Sequence, residues 1–160
     1  TAIDTSADAV RVMRQRGVRD ATVGNGLRPS GGPYETVLMM MNGIAIVKSI
    51  TGLHQVLRRC RKLLAPGGQI VFDTLDLRKD DLSRRFARTR KLAPGRYHGE
   101  MGFRMAYKGR IGRRFQLLFI DPTRLKREAA KAGWRAQVVF NEGEGRYLAR
   151  LVPLAAPRRK

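Results

Sequence analysis

Two short stretches of this 160-residue chain carry residue types suited to chemistry: Asn42-Gly43 and Asp73-Thr74-Leu75-Asp76. Each closes an apolar run. Asparagine brings donors and an acceptor, and glycine lets a backbone come close to a ligand. The carboxylates of Asp73 and Asp76 can orient a substrate hydroxyl or amine, or else cap the segment that follows. Of the run Met39-Met40-Met41, only Met41 is expected to touch a ligand; a methionine run in a buried strand is otherwise core. No serine, cysteine and histidine constellation marks a nucleophilic triad. Cys60, His54 and His98, the only cysteine and the two histidines, make no convincing metal set.

The elements that must position these residues follow from periodicity. Residues 37–41 (VLMMM) predict a strand buried on both faces, central in its sheet. Leu53, Val56, Leu57, Cys60, Leu63 and Leu64 then recur at helical spacing, with His54 on the opposite, solvent-facing side. Ser49 or Thr51 caps that helix, and Ala65-Pro66-Gly67-Gly68 ends it. Residues 69–73 form the next strand. A right-handed crossover makes the two strands parallel, so Asn42-Gly43 and Asp73 to Asp76 reach the same carboxyl edge, where open α/β sheets bind ligands.

Upstream, Ala2-Ile3-Asp4 reads as a strand stub. It is followed by a helix that turns Val10 and Met13 inward and ends at Gly17. Asp4 stands where nucleoside-binding α/β folds place an acidic residue on ribose hydroxyls; it can equally cap the helix. Residues 18–23 form a short strand leaving through Gly24-Asn25-Gly26-Leu27.

Downstream, Leu82 and Phe86 suggest a short amphipathic helix. Phe103, Met105 and Tyr107 alternate against Phe115, Leu117 and Phe119 as an inserted β-hairpin at about residues 95–120. Asp121-Pro122 opens a helix with Leu125, Ala129 and Ala132 inward and Gly133 at its end. Residues 135–141 and 146–152 make a final hairpin through Glu142-Gly143-Glu144-Gly145. Residues 154–160 are a basic tail.

The tract YETVLMMMNG, the helix end LRRCRKLLAPGGQIVFD, and FIDPTRLKREAAKAGW before the last hairpin resemble the second half of a class I S-adenosylmethionine-dependent methyltransferase. The resemblance runs from Ala2 to about Pro153. It implies an α/β, Rossmann-like, mostly parallel sheet with a C-terminal antiparallel hairpin, in the strand order 3-2-1-4-5-7-6. The family's first strand, first helix and glycine-rich loop are missing, and the chain starts at Thr1, so residues 1–153 are expected to be an N-terminally incomplete domain. The resemblance further implies S-adenosylmethionine as cofactor. It places Asp4 on the cofactor's ribose and Asn25-Gly26 beside adenine, with Asn25 in place of the common aspartate. Met41, Asn42 and Gly43 fall beside the methyl group. Insertions like the one at 95–120 build the acceptor pocket in such enzymes. Tyr97, His98, Arg104 and Tyr107 therefore join Asp73 and Asp76 as candidate substrate contacts, for a small-molecule acceptor.

Thirty-three lysines and arginines against 13 acidic residues give a formal charge of +20. Such a surplus suits a polyanion such as RNA, and an RNA-binding protein or RNA methyltransferase is the alternative reading. The basic residues are spread over every predicted element and are not gathered with aromatics, which favours a solvated surface. Apolar residues make up 42% of the chain, an ordinary value for one globular domain. No run is apolar for long enough to span a bilayer, and a cytoplasmic protein fits best.

Overall fold

The computed structural model describes residues 1–79 and 95–155. The helix expected around Leu82 and Phe86 lies outside them, as does the tail beyond residue 155. The chain divides into two compact units, Thr1–Gly32 and Pro33–Lys160. No helix among the described residues is long and apolar enough to cross a membrane.

In the first unit, β1 (Ala2–Asp4) and β2 (Ala21–Val23) pair in parallel, Asp4 opposite Val23, with α1 (Ala7–Gln15) connecting them. Ser6 caps α1, its hydroxyl accepting from the Ala9 N–H at 3.2 Å. Val10 is buried, and the Arg14 guanidinium donates twice to the Ala21 carbonyl, at 3.1 and 2.7 Å. β2 is shorter than the run 18–23 suggests. The Val18 N–H is still engaged by the Met13 carbonyl at the end of α1, so pairing begins only after the turn.

The second unit runs β3 (Tyr34–Met39), a 3-10 helix (Gly43–Val47), α2 (Ile50–Arg61), β4 (Leu64–Leu75), β5 (Glu100–Tyr107), β6 (Arg110–Leu118), α3 (Pro122–Lys131), β7 (Trp134–Gly143) and β8 (Arg146–Pro153). Its main sheet has the order β3-β4-β8-β7: β3 and β4 are parallel, and β8 and β7 are antiparallel. β5 and β6 form a separate hairpin. The strand, helix, strand crossover and both hairpins stand as expected, but α2 ends at Arg61, so Leu63 and Leu64 fall outside the helix, and Ala65 to Gly68 lie within β4 and do not end the helix. The two sheets reproduce the 3-2 and 4-5-7-6 portions of the implied order.

Leu53, Val56, Leu57 and Cys60 of α2 are buried with Ile70 and Phe72 of β4, Leu125 and Ala129 of α3, and Trp134. Truncating a fully buried leucine such as Leu57 to alanine costs about 2–5 kcal/mol in a core of this kind. Burial also pushes the Cys60 thiol up to about 11, so it behaves as a small hydrophobe. Ser49 is the N-cap of α2, accepting from the Gly52 N–H at 3.1 Å, and Asp121 with Pro122 opens α3.

Two expectations fail. Residues 37–41 are not a doubly buried central strand. β3 is the edge of its sheet, hydrogen-bonded only to β4 among the described residues, and Leu38 is 65% and Met41 94% exposed. His54 does not face solvent freely either. The helices α2 and α3 meet there, and its Nε2 lies 3.1 Å from Oε2 of buried Glu128. Glu128 also pairs with Arg124 at 3.0 Å and Lys131 at 3.3 Å, a network that helical periodicity alone cannot reveal.

Candidate active site

β3 ends at Met39, and the next residues turn sharply. Met41 (φ 58°) and Asn42 (φ 57°) both take the left-handed conformation. Asparagine tolerates it and methionine does so at a cost, and such strain persists where surrounding contacts impose it. One such contact is visible. The Asn42 N–H donates to Asp73 Oδ2 at 2.9 Å, tying the end of β3 to the end of β4.

β8 runs antiparallel to β4, with Tyr147 opposite Thr74 and Arg146 opposite Leu75, so its first residues come to the same edge. The β7–β8 turn is anchored there: the Asp76 N–H donates to the Gly145 carbonyl at 2.8 Å. Gly145 has φ 87°, and a Cβ at that position would stand 2.5 Å from the Asp76 carbonyl oxygen, so only glycine permits the approach.

These ends enclose a cavity of about 390 Å³, lined by Met40, Asn42, Asp73 to Leu75, Phe119, Phe140, Glu142 and Arg146 to Leu148. The volume suits a small molecule. Three oxygens of its lining residues, Asn42 Oδ1, Asp73 Oδ1 and Thr74 Oγ1, are buried without a hydrogen-bond partner among the described residues. An unpaired buried acceptor of this kind costs roughly 1–3 kcal/mol. A donor or a positive charge arriving in the cavity would relieve it.

At the carboxyl edge of β1 and β2, polar groups are engaged locally. Asp4 Oδ1 accepts from the Ser6 N–H at 2.7 Å, and Asn25 Oδ1 from the Leu27 N–H at 2.9 Å.

No protein-family model matches the chain, and no curated protein matches it in sequence. Solved structures do. The S-adenosylmethionine-dependent methyltransferase from Bacteroides fragilis, crystallised with S-adenosylhomocysteine, is 33% identical with a TM-score of 0.77. The likeness covers 97% of this chain and 63% of that one. The fold is that of the class I S-adenosylmethionine-dependent methyltransferases. The CcbJ methyltransferase from Streptomyces caelestis shares the fold at 15% identity and a TM-score of 0.66, over 96% of this chain and 74% of that one. The sugar N-methyltransferase KedS8 from a Streptoalloteichus species does so at 14% and 0.60, over 96% and 70%. The chain thus spans somewhat less than two thirds of the Bacteroides methyltransferase.

Within this methyltransferase fold the residues singled out from sequence separate into groups. Asn42 and Asp73 line the cavity together, with Met40 and not Met41 beside them. Gly43 starts the 3-10 helix, where a Cβ would stand 3.2 Å from Met39 Cβ. Asp4, Asn25 and Gly26 stay at the edge of the first unit.

Asp76 and Tyr97 are committed to an internal network. The Arg78 guanidinium grips both Asp76 oxygens at 3.0 Å and lies 3.1 Å from Asp121 Oδ1. The Tyr97 hydroxyl donates to Asp121 Oδ2 at 2.7 Å and accepts from the Asp121 N–H at 2.9 Å. Burial works to raise the Asp121 pKa, but the Arg124 N–H, the Tyr97 hydroxyl and the Arg78 charge together hold it below the ordinary carboxylate value. Burial pushes the Tyr97 hydroxyl up. His98 packs its ring 4.3 Å from that of Tyr97, and burial followed by the Arg78 charge lowers its pKa. Arg104 and Tyr107 sit on the exposed hairpin, Tyr107 at 73% exposure, and do not line the cavity.

Sequence reasoning missed Phe119, Phe140, Glu142, Arg146 and Tyr147. The signal was available in the topology. A last hairpin whose second strand runs antiparallel to β4 must bring its turn to the edge where β4 ends.

Proposed function

We propose that the protein to which this chain belongs transfers a methyl group from S-adenosylmethionine to a small-molecule acceptor. The observation that carries this reading is the likeness to the Bacteroides fragilis methyltransferase, over 97% of this chain at 33% identity. The residues present fit the cofactor. Asp4 keeps its second carboxylate oxygen unengaged among the described residues, an acceptor for ribose hydroxyls. Asn42 adds a buried oxygen that is unpaired among the described residues and suits a positively charged group. When bound, the cofactor supplies an already activated sulfonium methyl.

The work left to the chain is positioning. Asp73 fixes the Asn42 backbone, and the Phe119 and Tyr147 rings wall the cavity and reduce its water. A strong general base is not required of any residue.

The 160-residue chain by itself is expected to aggregate or to bind the cofactor very weakly. Among the described residues β3 pairs only with β4, and it exposes Leu38, an edge open to incorrect pairing. A methyl-transfer assay on the complete protein with a panel of metabolites tests the proposal. Formation of S-adenosylhomocysteine that depends on one acceptor is the expected result, and no turnover with any acceptor would count against it.

A further inference from the structure

The charge lining the cavity runs against the charge of the chain. Across the whole sequence basic residues outnumber acidic ones 33 to 13, yet the lining holds two carboxylates, Asp73 and Glu142, and one guanidinium, Arg146. Thr74, 3% exposed, is among the lining residues, and its hydroxyl oxygen and Asp73 Oδ1 are both buried and unpartnered among the described residues. Phe119 and Tyr147 add aromatic surface, which attracts a cation to its face.

We propose that this cavity takes an acceptor with a primary or secondary amine on an apolar body, so that the methyl group goes to nitrogen. The inference rests on the methyl-transfer reading and names the acceptor class for it. The amine enters as an ammonium ion held between Asp73 and Glu142. One N–H proton passes to a lining carboxylate and on to solvent, freeing the lone pair. The nitrogen then forms its bond to the methyl carbon as the carbon–sulfur bond breaks, its electron pair staying on sulfur. The products are the methylated ammonium ion, the neutral thioether and the released proton.

The test needs no cofactor. The complete protein, without added cofactor, is titrated with phenethylamine, phenethyl alcohol and phenylpropionate, following the Asn42 and Thr74 amide signals by NMR. Phenethylamine is expected to bind about tenfold more tightly than either analogue. Asp73→Asn is expected to remove most of that preference, and Glu142→Gln, at the exposed end of β7, about threefold of it. Glu35→Gln, outside the cavity, leaves it unchanged.

Equal binding of the alcohol, or tighter binding of the carboxylate through Arg146, overturns the inference. So does an amine affinity that neither cavity substitution alters. S-adenosylhomocysteine is titrated separately. Binding of it without amine preference sinks the acceptor class and leaves methyl transfer standing. Amine preference without it keeps the cavity assignment and sinks methyl transfer.

Discussion

At the carboxyl end of β1 and β2, Asp4 and Asn25 each turn a side-chain oxygen onto the backbone N–H two residues further on, at 2.7 and 2.9 Å. At the carboxyl end of β3 and β4, Asn42, Asp73 and Thr74 bury oxygens that have no hydrogen-bond partner among the described residues. The residue types are nearly the same and the outcomes are opposite. An Asx turn is complete without a ligand, because the side chain mimics the missing backbone carbonyl. A buried acceptor without a donor is stable only if the fold tolerates its cost, and that cost falls when a ligand brings the donor. The second edge is therefore the one whose polar groups are arranged for something other than folding.

The largest expected effect tests that contrast on activity. Asn42→Gly in the complete protein should lower kcat by about tenfold or more while leaving stability within roughly 0.5 kcal/mol. Glycine keeps the left-handed backbone without strain, whereas alanine there would confound the result. Turnover and a urea titration on the same sample check it. A large loss of stability would make Asn42 a structural residue and erase the difference between the edges.

Asp4 gives the next test. Asp4→Asn keeps the oxygen that accepts from the Ser6 N–H and loses only the charge, so the turn before α1 should remain. Affinity of the complete protein for S-adenosylhomocysteine should nevertheless fall about tenfold, and more than in Glu35→Gln, because charge-assisted bonds to the two hydroxyls are lost. Calorimetric titration that finds the two variants equal would leave Asp4 with its turn-closing role alone.

A smaller effect concerns Thr74. Replacing an unpaired buried hydroxyl by a methyl group removes its desolvation cost, so Thr74→Val should stabilise the fold by about 1 kcal/mol. Thr22→Val provides the comparison, since the Thr22 hydroxyl is exposed and lies 3.5 Å from the Ala2 carbonyl. That variant should change stability by less than about 0.5 kcal/mol. Equal shifts in midpoint would mean the Thr74 hydroxyl has a partner after all.

Periodicity and end signals made most of the fold legible. Leu53 to Cys60 announced α2, Asp121-Pro122 and Gly133 bounded α3, and the Gly-containing turns placed both hairpins. What stayed hidden depends on neighbours remote in sequence. An apolar run such as residues 37–41 reads alike for a central strand and for an edge strand, because burial is set by what lies alongside. The buried Glu128 looks like any exposed helical glutamate until α2 brings His54 to it. Half of the cavity, Asp73 and Asn42, was legible as strand ends. The other half comes from β8, whose contribution follows from its direction in the sheet and not from its composition.

The smallest effect bears on the other side of the comparison. Asn25 is exposed, and its side chain holds one turn through the bond to the Leu27 N–H. Asn25→Ala removes that bond, but water reaches the N–H at an exposed site, so the loss should be only about 0.5 kcal/mol. An engaged amide oxygen still has a second lone pair, and Asn25 can therefore serve adenine as well as its own turn. The two roles separate by measurement. If Asn25 only closes the turn, stability falls slightly and affinity for S-adenosylhomocysteine stays level. If it also accepts from adenine, affinity should fall about threefold or more on top of the same small loss of stability. Asn25→Asp should then bind at least as tightly as the natural residue, because it keeps the turn and strengthens the acceptor. An aspartate variant that binds more weakly than the alanine variant would remove Asn25 from the cofactor site and leave the first edge with Asp4 alone.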